Sequence, residues 1–423
     1  VSQPSFIPPT NAPRDAHRAA DWAGGIVSRQ LDNTLAWARI NTGSYNAAGL
    51  AALAPRLADA SARLPGELTL TPPLTYERML ANGTVETVSS GSAVLTTVRP
   101  DAPLQVVLTG HYDTVFPADS AFQAVTSLPN GMLNGPGLAD MKGGIAVAMG
   151  ALEAFEALAG PERDRLGYQI VLNPDEEIGS PASAAILLAV GAKAHVGFTY
   201  EPAQEDDSLT RARKGSANWS LAVHGRSAHA GRDHASGRSA VLAAAAFVVE
   251  LEALNGQCEG VTFNTGKIEG GSPVNQVPDI AVVRFNVRAP DAAAMDWASD
   301  QVWRLAAAVN RKDGLHAHLH GGVTRPPKPV NPQQEALMQF VGSAGRDLGL
   351  PIRWKDSGGV CDGNNLAAAG CPNIDTLGVR GGRIHSADEF FDPSSLHDRI
   401  ALSTLLLLRL AKGEVDRAAL RVR

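Results

Sequence analysis

Apolar and polar positions follow two periods along the chain, and the switches between them mark out its elements. Helical spacing runs over residues 15–39 and again over 47–63. Short apolar runs of strand length follow at 67–70, 93–98 and 104–108. An Ala-rich helix is expected over 142–158 behind a Gly-Pro-Gly loop, then a strand at 168–172, a helix at 181–190 and a strand at 196–200. Short apolar strands alternating with helices predict an α/β domain, a mostly parallel sheet flanked by helices.

After the acidic loop 204–208 the order changes. A strand at 219–224, a helix at 237–254, strands at 261–268 and 280–288, a helix at 293–310 and a strand at 315–320 give βαββαβ, the signature of a ferredoxin-like unit. The α/β pattern resumes beyond the prolines at 326–329, with a helix at 334–348, a strand at 374–379 and a closing helix at 396–412. The expected organisation is a flexible leader over 1–14, an outer domain in two parts, 15–208 and 326–423, and an inserted domain over 209–325.

Composition narrows the function classes. A chain of 423 residues with 44% hydrophobic content has material for more than one core. The net charge of −6 and the lack of any Lys/Arg stripe argue against nucleic acid or an acidic membrane surface as partner. No apolar run approaches the ~20 residues that span a bilayer. The three cysteines, 258, 361 and 371, have no CxxC spacing, which disfavours a disulfide framework or a thiolate zinc site. A soluble protein is expected, cytoplasmic, or periplasmic or secreted if a signal has been removed.

Chemistry enters through position. Four expected strands run into acids or histidines: 106–108 into Gly110-His111-Tyr112-Asp113, 170–172 into Asp175-Glu176-Glu177, 197–200 into Glu201, and 374–379, through two glycines, towards His385. Ligands of open α/β sheets bind beyond the carboxyl ends of the strands, so these residues can converge. Asp140 lies in a glycine-rich turn before the helix at 142, where backbone can approach a ligand closely. Two histidines (His111, His385) and three carboxylates (Asp140, Glu177, Glu201) suit two zinc ions if Asp140 bridges them. Such a pair, ~3.5–4 Å apart, acidifies water and polarises a carbonyl. Asp113 can hold the second nitrogen of His111, and Glu176 can act as general base and then acid. Cobalt or manganese could replace zinc at such mixed sites. Taken singly, a His-x-Asp or an Asp-Glu-Glu is a common loop or helix start; the joint placement at strand ends carries the inference.

At these residues the chain resembles the di-zinc metallopeptidases that include carboxypeptidase G, aminoacylase, acetylornithine deacetylase and succinyl-diaminopimelate desuccinylase. The motifs are Gly110-His-Tyr-Asp-Thr-Val-Phe116, Gly135-Pro-Gly-Leu-Ala-Asp-Met-Lys-Gly-Gly144, Asp175-Glu-Glu-Ile-Gly-Ser180, Tyr200-Glu-Pro202 and Ile384-His-Ser386. The pattern is nearest to the carboxypeptidase G branch. The resemblance implies His111, Asp140 and Glu201 on one ion, and Asp140, Glu177 and His385 on the other. It also implies that the inserted domain is a lid through which a homodimer forms. His229, in Arg226-Ser-Ala-His-Ala-Gly231, is the implied oxyanion donor, often across a dimer, and Asn275 is implied to lie near the substrate. Arg288 and Arg325 are candidate anchors for a substrate carboxylate. Cys361 stands where many relatives carry Ser.

The expected activity is hydrolysis of an amide or peptide bond in a small peptide or N-acyl amino acid, next to a carboxylate-bearing residue such as a C-terminal glutamate. Deacylation of N-acyl amino acids is the alternative within the class; a silent binding protein and phosphoester cleavage are alternatives outside it. The histidines at 316, 318 and 320 are read as a solvent-facing strand edge, and Trp219, Trp297 and Trp303 as lid packing.

Overall fold

The computed structural model describes residues 6–421. In chain order the principal strands are β1 (Glu67–Leu70), β2 (Val94–Val98), β3 (Leu104–His111), β4 (Leu166–Asn173) and β5 (Val196–Thr199). Then come β6 (Gly215–His224), β7 (Thr262–Gly270), β8 (Ile280–Ala289), β9 (His316–Arg325) and β10 (Asn373–Ile374). The main sheet has the order β1-β2-β4-β3-β5-β10. Strands β4, β3, β5 and β10 run parallel to one another, while β2 is antiparallel to both of its neighbours, β1 and β4.

Both faces of this sheet are covered, which is why its strands read as continuous apolar runs. On β3, Val106 and Leu108 belong to the core built with helices α1 (Arg14–Ala38), α2 (Ala47–Ser61), α3 (Gly143–Leu158), α7 (Pro332–Leu348) and α9 (Ser395–Lys412), whereas Val107 packs on the opposite side against Leu187 of α4 (Ala184–Lys193) and Leu366 of α8 (Asp362–Ala368). Helix α9 is buried from Ser395 to Ala411, so its apolar residues occupy every face rather than a stripe.

The segment from Gly215 to Arg325 forms its own antiparallel sheet, β7-β8-β6-β9, the ferredoxin-like arrangement. Its apolar face, with Leu221, Val223, Val283 and Phe285, packs under α5 (Ala240–Glu252) and α6 (Ala292–Asn310) as a separate core. The Trp219 and Trp303 rings meet edge-on at 5.7 Å. The opposite face is polar, and a hairpin from the outer domain (Thr75–Met79 with Val85–Ser89) docks on it: Met79 packs on Ala222 and Val282, and its carbonyl accepts from Arg284 Nη2 at 2.8 Å. The mostly exposed hairpin gives too little periodicity to be read from the sequence.

Three expectations need correction. The strand expected over 374–379 is regular only at Asn373–Ile374. Thr376 adopts φ +66, and the chain continues beside β5 irregularly, with Leu377 and Gly378 amides donating to Thr199 and Glu201 carbonyls. The buried Leu377 and Val379 imitate strand alternation although the backbone turns. Second, Leu209–Arg213, placed by sequence in the insertion, pairs with Trp354–Ser357 of the outer domain, so the insertion's own sheet begins at Gly215. Third, β3 continues past 108 to His111, and β9 past 320 to Arg325, which carries both residues into the site. Of the expected leader, residues 1–5 lie outside the described part, while Phe6 and Ala12 pack against the main core.

Candidate metal centre

The acids and histidines converge at the carboxyl ends of β3, β4 and β5. His111 is the last residue of β3, Glu176 and Glu177 form the turn Glu176–Ile178 just beyond β4, and Glu201 follows β5. Asp140 sits in the irregular turn Leu138–Lys142 that opens α3. The two glycines after this turn are there for contact. A Cβ on Gly144 would fall 1.9 Å from the Tyr200 carbonyl oxygen, so α3 can press against the residue preceding Glu201 only with glycine there. His385 comes from a loop rather than a strand end, at φ +62, between the paired segments Gly381–Gly382 and Phe390–Phe391.

The geometry centres on Asp140. Its Oδ1 lies 3.1 Å from His111 Nε2, and its Oδ2 lies 3.2 Å from His385 Nε2. Glu201 Oε2 is 3.7 Å from His111 Nε2, and Glu177 Oε2 is 3.2 Å from His385 Nε2. Two triads result, His111–Asp140–Glu201 and Asp140–Glu177–His385, with ligand atoms within 4.8 Å of one another in each. A cavity of about 460 Å³ opens on them, lined also by Glu176 and Arg213.

Asp113 is a buried brace. One carboxylate oxygen is 3.3 Å from His111 Nδ1, whose closer contact is the Asp113 carbonyl at 3.1 Å. The same carboxylate accepts from the backbone amides of Glu176 (3.1 Å) and Glu177 (3.2 Å) and from Ser44 Oγ (2.7 Å). It thereby ties the end of β3 to the turn after β4.

The electrostatics fit a cation. Burial pushes the Glu177 carboxyl up to about 7 and raises Glu201, while burial lifts Glu176 well above the usual carboxylate range against the pull of Arg325. Hydrogen bonds to Asp140 and Glu177 hold His385 up to about 11. Glu201 Oε1 is buried with no hydrogen-bond partner among the described residues. Carboxylates crowded at low dielectric around two imidazoles, with an orphaned oxygen among them, are the donor set of a hard-to-borderline divalent cation.

The substrate-side candidates divide. Arg325 is buried, and its guanidinium is engaged by Glu176 Oε1 at 2.9 Å, Asp362 Oδ1 at 3.2 Å and Ser180 Oγ at 2.7 Å, so it braces the turn at Glu176–Ile178 instead of standing free for a carboxylate. The reason is that β9 runs on to Arg325 and delivers it beneath that turn. Arg288 is half-buried and binds Asn286 rather than an acid. His229 and Asn275 lie on an exposed two-strand ladder, Ala228–His229 with Gln276–Val277 and its approach, and neither lines the cavity. Gly231 N–H donates to His229 Nδ1, which leaves the neutral ring's proton on Nε2.

Two residues went unread in the sequence. Glu389 is buried and accepts from the amides of Gly137 (3.1 Å), Ala139 (2.9 Å) and Asp140 (3.2 Å), joining the His385 loop to the Asp140 turn. Asp362 completes the Arg325 brace. A buried acid looks like any surface acid in sequence; only the proximity of Glu389 to His385 could have drawn attention to it.

Histidines and carboxylates gathered at the ends of parallel strands, with a further buried acid beside them, define a metal-dependent hydrolase of amide or peptide bonds. The profile of Peptidase family M20/M25/M40 matches residues 107–409, and the chain belongs to that family. Among its relatives, carboxypeptidase G2 of Pseudomonas sp. (strain RS-16) is 25% identical over 332 residues, 77% of this chain and 78% of that protein. A succinyl-diaminopimelate desuccinylase of Bordetella petrii is 29% identical over 350 residues, 77% and 89% of the two chains. An M20 family metallo-carboxypeptidase from Sulfolobus solfataricus shares the fold at TM-score 0.66 and 14% identity, over 90% of this chain and 99% of that one.

Proposed function

We propose that the protein is a di-zinc exopeptidase of the carboxypeptidase G type, releasing a carboxylate-bearing amino acid from an amide or peptide bond. The observation that carries this reading is Asp140, whose two oxygens each face a different histidine, so that one carboxylate serves two triads. His111, Asp140 and Glu201 would hold one ion, and Asp140, Glu177 and His385 the other. When bound, the ions acidify water and polarise the amide carbonyl.

The chain's own groups supply the rest. Glu176, raised by burial, takes a proton from the attacking water and returns it to the leaving amine. Asp113 fixes the His111 ring. His229, with its proton on Nε2, donates to the oxyanion from the lid of a second copy in a homodimer, and Asn275 lies beside it. Arg288 receives the substrate carboxylate. The exposed Leu242 and Val249, seven residues apart on one face of α5, support a lid-to-lid contact. Chelation followed by zinc add-back tests the proposal: activity should vanish and return, and full turnover by the metal-free protein would refute it.

Deacylation of N-acyl amino acids is the reading to set against it, favoured by the desuccinylase relative. A panel of N-acyl and peptidyl amino acids, compared by kcat/KM, separates the two.

A further inference from the structure

The end of the lid sheet that meets the metal centre carries a polar row fixed by strand register. Ser216 on β6 pairs with Arg288 of β8 on one side and with Arg325 of β9 on the other. Two residues along, Asn218 pairs with Asn286. Because Ala217, Trp219, Phe285 and Val287 belong to the core beneath α5 and α6, alternation turns Ser216, Asn218, Asn286 and Arg288 to the other face. The two arginines of this row differ in one respect. Arg325 is paired with acids through its Nη2, which faces Glu176 and Asp362 as well as Ser180 Oγ, although its buried Nε has no hydrogen-bond partner among the described residues. Arg288 donates its Nε to Asn286 Oδ1 at 2.9 Å, and its Nη1 is buried with no hydrogen-bond partner among the described residues.

The Asn286 amide can point only one way. Its Nδ2 faces three acceptors, Ser216 Oγ at 2.9 Å, Asn218 Oδ1 at 2.7 Å and the Ala217 carbonyl at 3.1 Å, so its oxygen is left for Arg288. Guanidinium binds a carboxylate in two bidentate ways, through Nε with one terminal nitrogen or through both terminal nitrogens. With Nε occupied, the second remains. Asn286 is also uncharged, so it orients Arg288 without neutralising it, as an acid at the same place would. Burial and then the neighbouring Arg325 charge lower the Arg288 pKa, so an arriving anion meets an under-compensated cation.

We propose that Asn286 is a positioning residue for substrate recognition: by holding Arg288 Nε it presents the two terminal nitrogens, so that the enzyme selects a substrate whose carboxylate docks end-on. The inference rests on Arg288 being the carboxylate anchor of the proposed function, and the experiment separates the two. On the zinc-loaded enzyme, KM and kcat are measured with the best substrate of the N-acyl and peptidyl amino acid panel, and Ki with its C-terminal carboxamide. Asn286→Ala should raise KM about tenfold with kcat moved less than about twofold, since one hydrogen bond to a charged group is lost. The carboxamide Ki should not change. The isosteric Asn286→Asp should raise KM further by competing with the substrate for Arg288. Arg288→Ala should raise KM at least as much, and adding Asn286→Ala to it should do nothing more. If Arg288→Ala raises KM while both Asn286 variants leave it alone, Asn286 has no such role and the anchor stands. If Arg288→Ala leaves KM unchanged, the anchor itself falls and the inference with it. A loss in both Asn286 variants that strikes substrate and carboxamide equally would make the residue structural and overturn the proposal.

Discussion

Glu176, the proposed base, is both buried and paired with an arginine. Arg325 at 2.9 Å keeps the carboxylate in place, whereas desolvation raises its affinity for a proton, and the proposed role of base and then acid needs both. Glu176→Gln is expected to retain bound metal, measured by elemental analysis, while kcat falls by about 10²–10⁴-fold. Asp375 illustrates the purely structural use of charge. Burial opposes its ionisation, but Arg213 and Lys328 at 2.9 and 2.7 Å win and lower it to about 2 from an ordinary 3.8. A depressed folded-state pKa contributes stability that is complete above the unfolded value and disappears as pH falls through the folded one. Asp375→Ala should therefore cost about 3–5 kcal/mol at neutral pH, the penalty for stranding buried cations. In denaturant titrations the gap to the parent protein should narrow as pH drops from about 4 towards 2.

Elements decide whether such residues meet. The Asp140 turn is pinned from three directions: by α3, which it opens, by Glu389 reaching its amides, and by the close approach of Gly144 to the strand end before Glu201. Gly144→Ala would need more than an ångström of displacement at the Tyr200 carbonyl, so a loss of about 1–3 kcal/mol in stability and weaker metal retention are expected. Thermal unfolding with and without zinc measures both. The loop of His385 is the more exposed wall of the site, with a half-exposed imidazole facing the carboxylates of Asp140 and Glu177. Since those carboxylates hold the metal-free ring protonated up to about 11, a cation must displace that proton. Zinc titration at neutral pH should release protons, detectable by calorimetry in buffers of different ionisation enthalpy, and affinity should rise with pH. Absence of proton release would contradict this picture of the site.

At the scale of the molecule, two separate cores are linked by the chain at two crossings, yet they are not independent. Arg325 reaches the Glu176 turn from the inserted sheet, and the hairpin at 75–89 reaches back onto that sheet. Among the described residues no helix is long and apolar enough to cross a membrane. The exposed stripe of Leu242 and Val249 on α5 is the surface that a second copy would cover in the proposed dimer. Leu242→Glu with Val249→Glu should then shift sedimentation towards monomer, and a species unchanged by these charges would remove α5 from the contact.

The sequence alone determined whatever depends on local period and on order along the chain: the α/β layout, the βαββαβ insertion, and the set of acids and histidines placed where strands stop. Those signals survive because burial on one face or two imposes a repeat that composition records. Tertiary structure decided the rest. Thr376 breaks an apparently regular strand, the long β9 turns Arg325 into a brace for Glu176, and Glu389 and Asn286 acquire roles through partners remote in sequence. A polar side chain carries no mark of whether water or protein will surround it; register across neighbouring strands supplies that, and register is fixed only when the chain has closed on itself.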